Sequence, residues 1–330
     1  ISVIHPNHKN NTVVVGYNSG NIDLIKDGEI INISAILNSN VVGDKTIYGM
    51  TSSDDLTYLA TGFGIVVVDV KRQEIKDTYI IGDNGSQLKI NDIVVGGGNI
   101  YAVTDDGLRY ADENAQFLSD HTVWNQMIIT PATESAFHLI EYNSGRLIVI
   151  NKGPLYNDDQ IYVYENNTWT AIIRLTTDKD IYSIEVKEDN LIVSGNYAVR
   201  EYDYSFNEVE LLYAYNPIYS ANPNCCIWDG EYYWVGDRKV GLSRFKDNWH
   251  AENENYTISG PNYNDAFHLE CENNELWVAS GRTTGTGWNN TYNWNGIYHF
   301  DQFDWNTYNR LNVSQFSNTD TVSDFVWITI

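Results

Sequence analysis

The chain has 330 residues, 42% hydrophobic and 13% aromatic, with a formal net charge of −24. It is too apolar for a disordered chain, and its acidic excess with no Lys/Arg cluster excludes a nucleic-acid partner. The same charge keeps a large exported protein soluble and would complement a basic partner surface.

Abundant Tyr and Trp with scarce Pro and Met suit pleated, half-buried strands. The sequence opens inside an apolar strand, Ile1-Ser2-Val3-Ile4, as a mature or trimmed piece would. The lack of a signal peptide, membrane span or lipidation motif therefore says little about export. His5 and His8 follow in a turn and are weak metal candidates without nearby carboxylates.

From there, second-strand runs begin at Val13, Tyr58, Ile100, Leu147, Leu191, Tyr233 and Leu276, at intervals of 42 to 47 residues. A period in the forties with several short strands per unit is the pattern of propeller blades. Each unit opens on an inner strand, such as Ile47–Met50, Ile181–Ile184 or Phe267–Glu270. A polar turn leads to the runs above, then to a third strand such as Gly64–Asp69 or Asp159–Tyr164. A more polar fourth strand closes the unit, for instance Thr78–Ile81. The expected fold is all-β, a seven-bladed β-propeller of four-stranded antiparallel blades over residues 1–312. Residues 313–330 are expected to be a closing strand or the start of a truncated following domain, with Asp324–Ile330 as an inner strand.

Few motifs carry chemistry. Trp228-Asp229 is the single Trp-Asp pair and Gly96-Gly97-Gly98 the single Gly-Gly run, which excludes WD40 and kelch arrays. H-E-x-x-H, G-x-S-x-G, a P-loop and sialidase Asp boxes are absent. Asp54-Asp55, Asp105-Asp106 and Asp158-Asp159 read as turn carboxylates, the last two as weak Ca²⁺ candidates. No pair is nominated as catalytic, so no enzyme and no cofactor are expected. Cys225, Cys226 and Cys271 make no disulfide framework, and the first two read as buried thiols in an apolar strand. Tyr232-Tyr233-Trp234 reads as core.

Loops from second to third strands share one propeller face, and two of them are long: 152–159 and 281–296. They supply the candidate ligand-binding residues Tyr156, Asp158, Asp159, Trp288, Tyr292 and Trp294. Aromatic rings among Asn, Thr and Gly can hold a sugar or a protein loop, or the rings can fold back over a neighbouring blade.

Gly20–Ile25, Tyr58–Val67, Glu74–Gly82, Asn91-Asp92-Ile93 and Ile100–Thr104 resemble the N-terminal β-propeller of PorZ-like proteins of the Bacteroidetes over about residues 13–112. Beyond that the blade pattern is shared with two-component regulator propellers. The resemblance implies an exported accessory of type IX secretion, in the periplasm or at the outer-membrane surface. It further implies two propellers with a small C-terminal domain in the whole protein, and action beside the sortase that attaches cargo to anionic lipopolysaccharide. The expected partner is accordingly a sortase-like protein or a lipopolysaccharide glycan, and no catalytic residue is carried over. The alternative is the periplasmic oligosaccharide-sensing propeller of a hybrid two-component histidine kinase.

Overall fold

The computed structural model describes all residues except 131, 133–136, 154–157, 173–179, 216–219, 257–259, 285–288, 318–322 and 330. It divides into two compact units, Ile1–Tyr256 and Thr257–Ile330. The first holds six four-stranded antiparallel sheets; the second holds one more, with a two-stranded ribbon. The fold class is that of a seven-bladed β-propeller of four-stranded blades.

Blades 1 to 6 open on the strands Val3–Asn7, Ile47–Ser53, Ile90–Gly96, Phe137–Asn143, Ile181–Lys187 and Pro223–Trp228. Blade 7, in the second unit, opens on His268–Glu272. Within every blade the strands pair in sequence order. In the first unit the opening strands of consecutive blades lie beside one another.

Short hairpin turns set this registry. Asp27-Gly28, Ser144-Gly145, Asn166-Asn167 and Asn273-Asn274 each place two consecutive residues at positive φ between directly paired strand ends. Two-residue turns of this hand match the twist of the flanking strands, and Asn, Asp and Gly tolerate them best. The core of the first unit sits between blades. In blade 2, Leu59, Val66 and Val68 pack toward blade 1, while Ala60, Ile65 and Val67 pack toward blade 3. Alternate residues thus bury on opposite faces, which is why Gly64–Asp69 reads as an unbroken apolar run.

The structure corrects four expectations. The fourth strand of blade 2 is Glu74–Tyr79, four residues earlier than the Ile80-Ile81 run suggested. Glu74, Lys76 and Asp77 suit an outer edge exposed to water, whereas Ile81 turns into the core between blades 2 and 3. Residues 323–329 are not strand, because the Asp324 N–H and the Phe325 carbonyl bond to loop residues Asn293 and Gly281. Cys226 is buried but Cys225 is exposed, since neighbours along a strand face opposite sides. Of the run at 232–234, Tyr233 is core, while Tyr232 and Trp234 are half-buried.

Candidate functional site

The two long loops are where the spacing put them, between second and third strands of blades 4 and 7. In blade 4, Tyr156 lies outside the described residues. Asp158 is exposed. Asp159 is buried, and its two oxygens accept from the Gly153 N–H at 3.2 Å and the Ile181 N–H at 2.8 Å. Lys152 Nζ and His138 Nε2 each stand 3.8 Å from it. Burial holds the His138 ring below its ordinary range, partly opposed by the Ile181 carbonyl and by Asp159. Asp159 therefore ties the loop to the opening strand of blade 5. Gly153 is fixed by packing, because a Cβ there would stand 2.1 Å from the Asp158 carbonyl oxygen.

In blade 7, Thr283–Thr284 and Asn289–Asn290 pair as a small ribbon, and Trp288 lies outside the described residues. Beyond the ribbon, one carboxylate organises the loop. Asp324 accepts the N–H groups of Thr291 at 2.8 Å, Tyr292 at 2.9 Å and Asn293 at 2.9 Å, and the Thr291 hydroxyl as well. Burial pushes the Asp324 carboxyl upward, but these donors outweigh it and hold it below the usual range. Asn293 and Asn295 both donate to Asp265.

The two described rings of this loop part company. Tyr292 has φ 56° and is 66% exposed. Trp294 is half-buried, with the Arg310 guanidinium 4.7 Å from its ring centre. The chemistry on offer is an exposed aromatic ring on a pinned backbone, beside amide and hydroxyl groups.

Sequence reasoning missed a second region, inside the first unit. A hollow of about 930 Å³ lies among the opening strands of blades 1, 2, 5 and 6 and the turns that follow them. Ile4, Pro6, Ile227 and Trp228 give it an apolar side, and His5, Thr51, Ser52 and Glu185 a polar one. Burial, then the neighbouring His8, push the His5 ring down to about 4, so it stays neutral. A hollow of about 440 Å³ adjoins it, sharing Lys9 and Asp54 and adding Asp55 and Glu113. The opening strands of blades 3, 4 and 5 also carry Asp92, Glu141 and Glu185. Burial raises Asp92 to about 7 and Glu141 to about 8, and raises Glu185. The signal was available: an acid interrupts three consecutive apolar opening strands.

Among the described residues no three His, Cys, Asp or Glu side chains gather as metal ligands. Asp105 instead accepts from Asn91 Nδ2 at 2.7 Å. No described helix is long and apolar enough to cross a membrane.

Residues 1–125 match the family model of the type IX secretion PorZ N-terminal β-propeller domain. No curated protein matches the chain in sequence. Among solved structures, PorZ of Porphyromonas gingivalis, described as an essential bacterial surface component of the type IX secretion system, superposes with a TM-score of 0.70 at 19% identity. That match covers 96% of this chain and 40% of PorZ, so the chain spans about two fifths of its length. The extracellular domain of a protein of B. thetaiotaomicron ascribed to the hybrid two-component systems follows, with a TM-score of 0.55 at 11% identity over 93% of this chain and 47% of that one. A computationally designed protein gives 0.54 at 10% identity over 84% and 79%. The first 125 residues are thus PorZ-like in sequence, and the chain as a whole shares its fold with PorZ and with a two-component regulator propeller.

Proposed function

We propose that this chain is a non-enzymatic binding propeller of an exported protein, an accessory of type IX secretion that docks a sortase-like protein or a lipopolysaccharide glycan. The observation that carries this reading is the Asp324-pinned turn, which presents the Tyr292 ring to solvent at a positive φ. A non-glycine residue held there costs conformational energy, and such strain gathers where a side chain is aimed at a partner. A backbone fixed in advance loses less freedom on binding. Trp288 and Trp294 are the further candidates on the blade 7 loop; Tyr156 and Asp158, with Asp159 supporting the loop, are separate candidates on blade 4. The PorZ-like first 125 residues support the assignment to secretion.

The test is surface plasmon resonance of the whole chain against the purified sortase and lipopolysaccharide of its own organism. Tyr292→Ala, and Trp288→Ala with Trp294→Ala, are expected to weaken binding by about tenfold or more. The melting temperature should stay within ~2 °C. A fall of many degrees in the double variant would make those rings core. Binding of neither the sortase nor the lipopolysaccharide would overturn this reading.

A further inference from the structure

We infer that the paired hollows of the first unit take a cationic peptide segment that also carries an apolar side chain. The larger hollow, about 930 Å³, is in the range that encloses a small ligand. Its apolar side includes side chains with no cover: Ile4 is 59% and Ile227 52% exposed. They stand on the opening strands of blades 1 and 6 and line one concave space, where an apolar guest gains by leaving water.

The charges select the guest. Asp54, shared by both hollows, and Asp55, Asp69 and Glu113 in the smaller one supply carboxylates that outnumber the lining lysines, Lys9 and Lys76. Lys9 is already engaged by Asp54 at 2.7 Å. Asp229, on the other rim of the larger hollow, accepts from Trp234 Nε1 and from the N–H groups of Tyr232 and Glu231, which hold it below the ordinary carboxylate range. An apolar wall beside an acidic rim complements a hydrophobic residue flanked by Lys or Arg. A neutral sugar would need an open aromatic face. Trp228 is a poor platform, because Lys187 Nζ stands 4.1 Å over its ring and Tyr233 packs 4.6 Å away. This inference does not depend on the blade 7 loop.

The experiment is fluorescence anisotropy on the whole chain with a labelled synthetic octapeptide, one leucine followed by two arginines among glycines and serines. The control peptide has glutamates for the arginines. Binding is expected for the first, at least about tenfold weaker for the second, and falling as salt rises from low to physiological levels. Asp54→Asn with Asp55→Asn should cost about tenfold or more and flatten the salt dependence, since Asn keeps the left-handed turn at 54. Ile227→Ser, at an exposed position, should weaken binding by about fivefold or more. The Trp288/Trp294 double variant should bind the peptide as the parent does, which separates failure of this site from failure of the blade 7 surface. Equal binding of both peptides, no binding of either, or displacement by a neutral oligosaccharide would overturn the assignment.

Discussion

In blade 2 the second strand, Leu56–Thr61, buries every residue from Thr57 onward; in blade 7 its counterpart, Glu275–Ala279, buries only Val278 and Ala279. The third strands differ likewise, with Gly64 to Val68 all buried in one and only Tyr298 in Ile297–Phe300 of the other. Blade 2 is filled with Leu, Val and Ile pressed between two neighbours, so its stability scales with buried area. Blade 7 relies on stacked rings: Trp277 on His299 at 3.8 Å and on Tyr308 at 6.0 Å, with His299 Nε2 hydrogen-bonded to Glu275 at 2.9 Å. Stacks tolerate wet edges, so one strand plan accepts both fillings. The PorZ family model covers residues 1–125, blades 1 and 2 and nearly all of blade 3, where the aliphatic filling prevails.

The largest effect is expected from emptying the aliphatic filling. Leu59→Ala should cost ~3 kcal/mol, because Leu59 is fully buried and the cavity cannot collapse between two sheets. Trp277→Ala should cost ~1 kcal/mol, the loss of a half-exposed stack. Urea denaturation of both variants measures the difference. Equal or reversed costs would mean that blade 7 is packed as tightly as blade 2.

A second, smaller effect separates the blades by charge. Asp92 and Glu141 have folded pKa values raised to about 7 and about 8 by burial, above their unfolded values. The folded chain therefore keeps protons that the unfolded chain loses. The stabilisation is complete below about pH 4 and is lost as pH rises through 7 to 8. After screening and mutual coupling the loss should be on the order of 1–2 kcal/mol. Asp92→Asn should flatten the pH profile, since its amide oxygen can still accept from the Ile140 N–H that now donates to Asp92. A profile unchanged by this variant, or stability rising across that range, would show that these acids ionise freely.

Much of this was legible because it is local. Runs starting at Tyr58, Ile100 and Leu147, each preceded by a short polar or glycine-rich turn, fall inside second strands as read. The fourth strand of blade 2 misled because apolar Ile80-Ile81 resembles a strand more than charged Glu74–Tyr79 does, and only the neighbouring blade reveals which is buried. The loop at 281–296 was visible by length. The fates of Tyr292 and Trp294 were not, for they depend on Asp324 and Arg310, the first 32 residues beyond Tyr292. The hollow was hidden further still, because Ile4, Thr51, Glu185 and Trp228 meet only when four blades bring their opening strands together.

The smallest effect compares opening strands through their thiols. Cys226 of blade 6 is buried, and burial, then Cys225, push its thiol well above the ordinary range. Cys225 beside it and Cys271 in blade 7 are exposed. A thiolate-seeking aromatic disulfide reagent should therefore titrate two equivalents quickly in the native protein and the third only on unfolding. Cys225→Ser should remove one fast equivalent and change stability by less than ~0.5 kcal/mol. Because thiolate and access are both required, a slow Cys226 reports packing between blades 5 and 6, where it shares one core with Ile192, Val199 and Leu212 of blade 5. A slow Cys271 would show instead that the opening strand of blade 7 is as covered as that of blade 6. The two blades would then differ in the chemistry of their filling and not in its tightness.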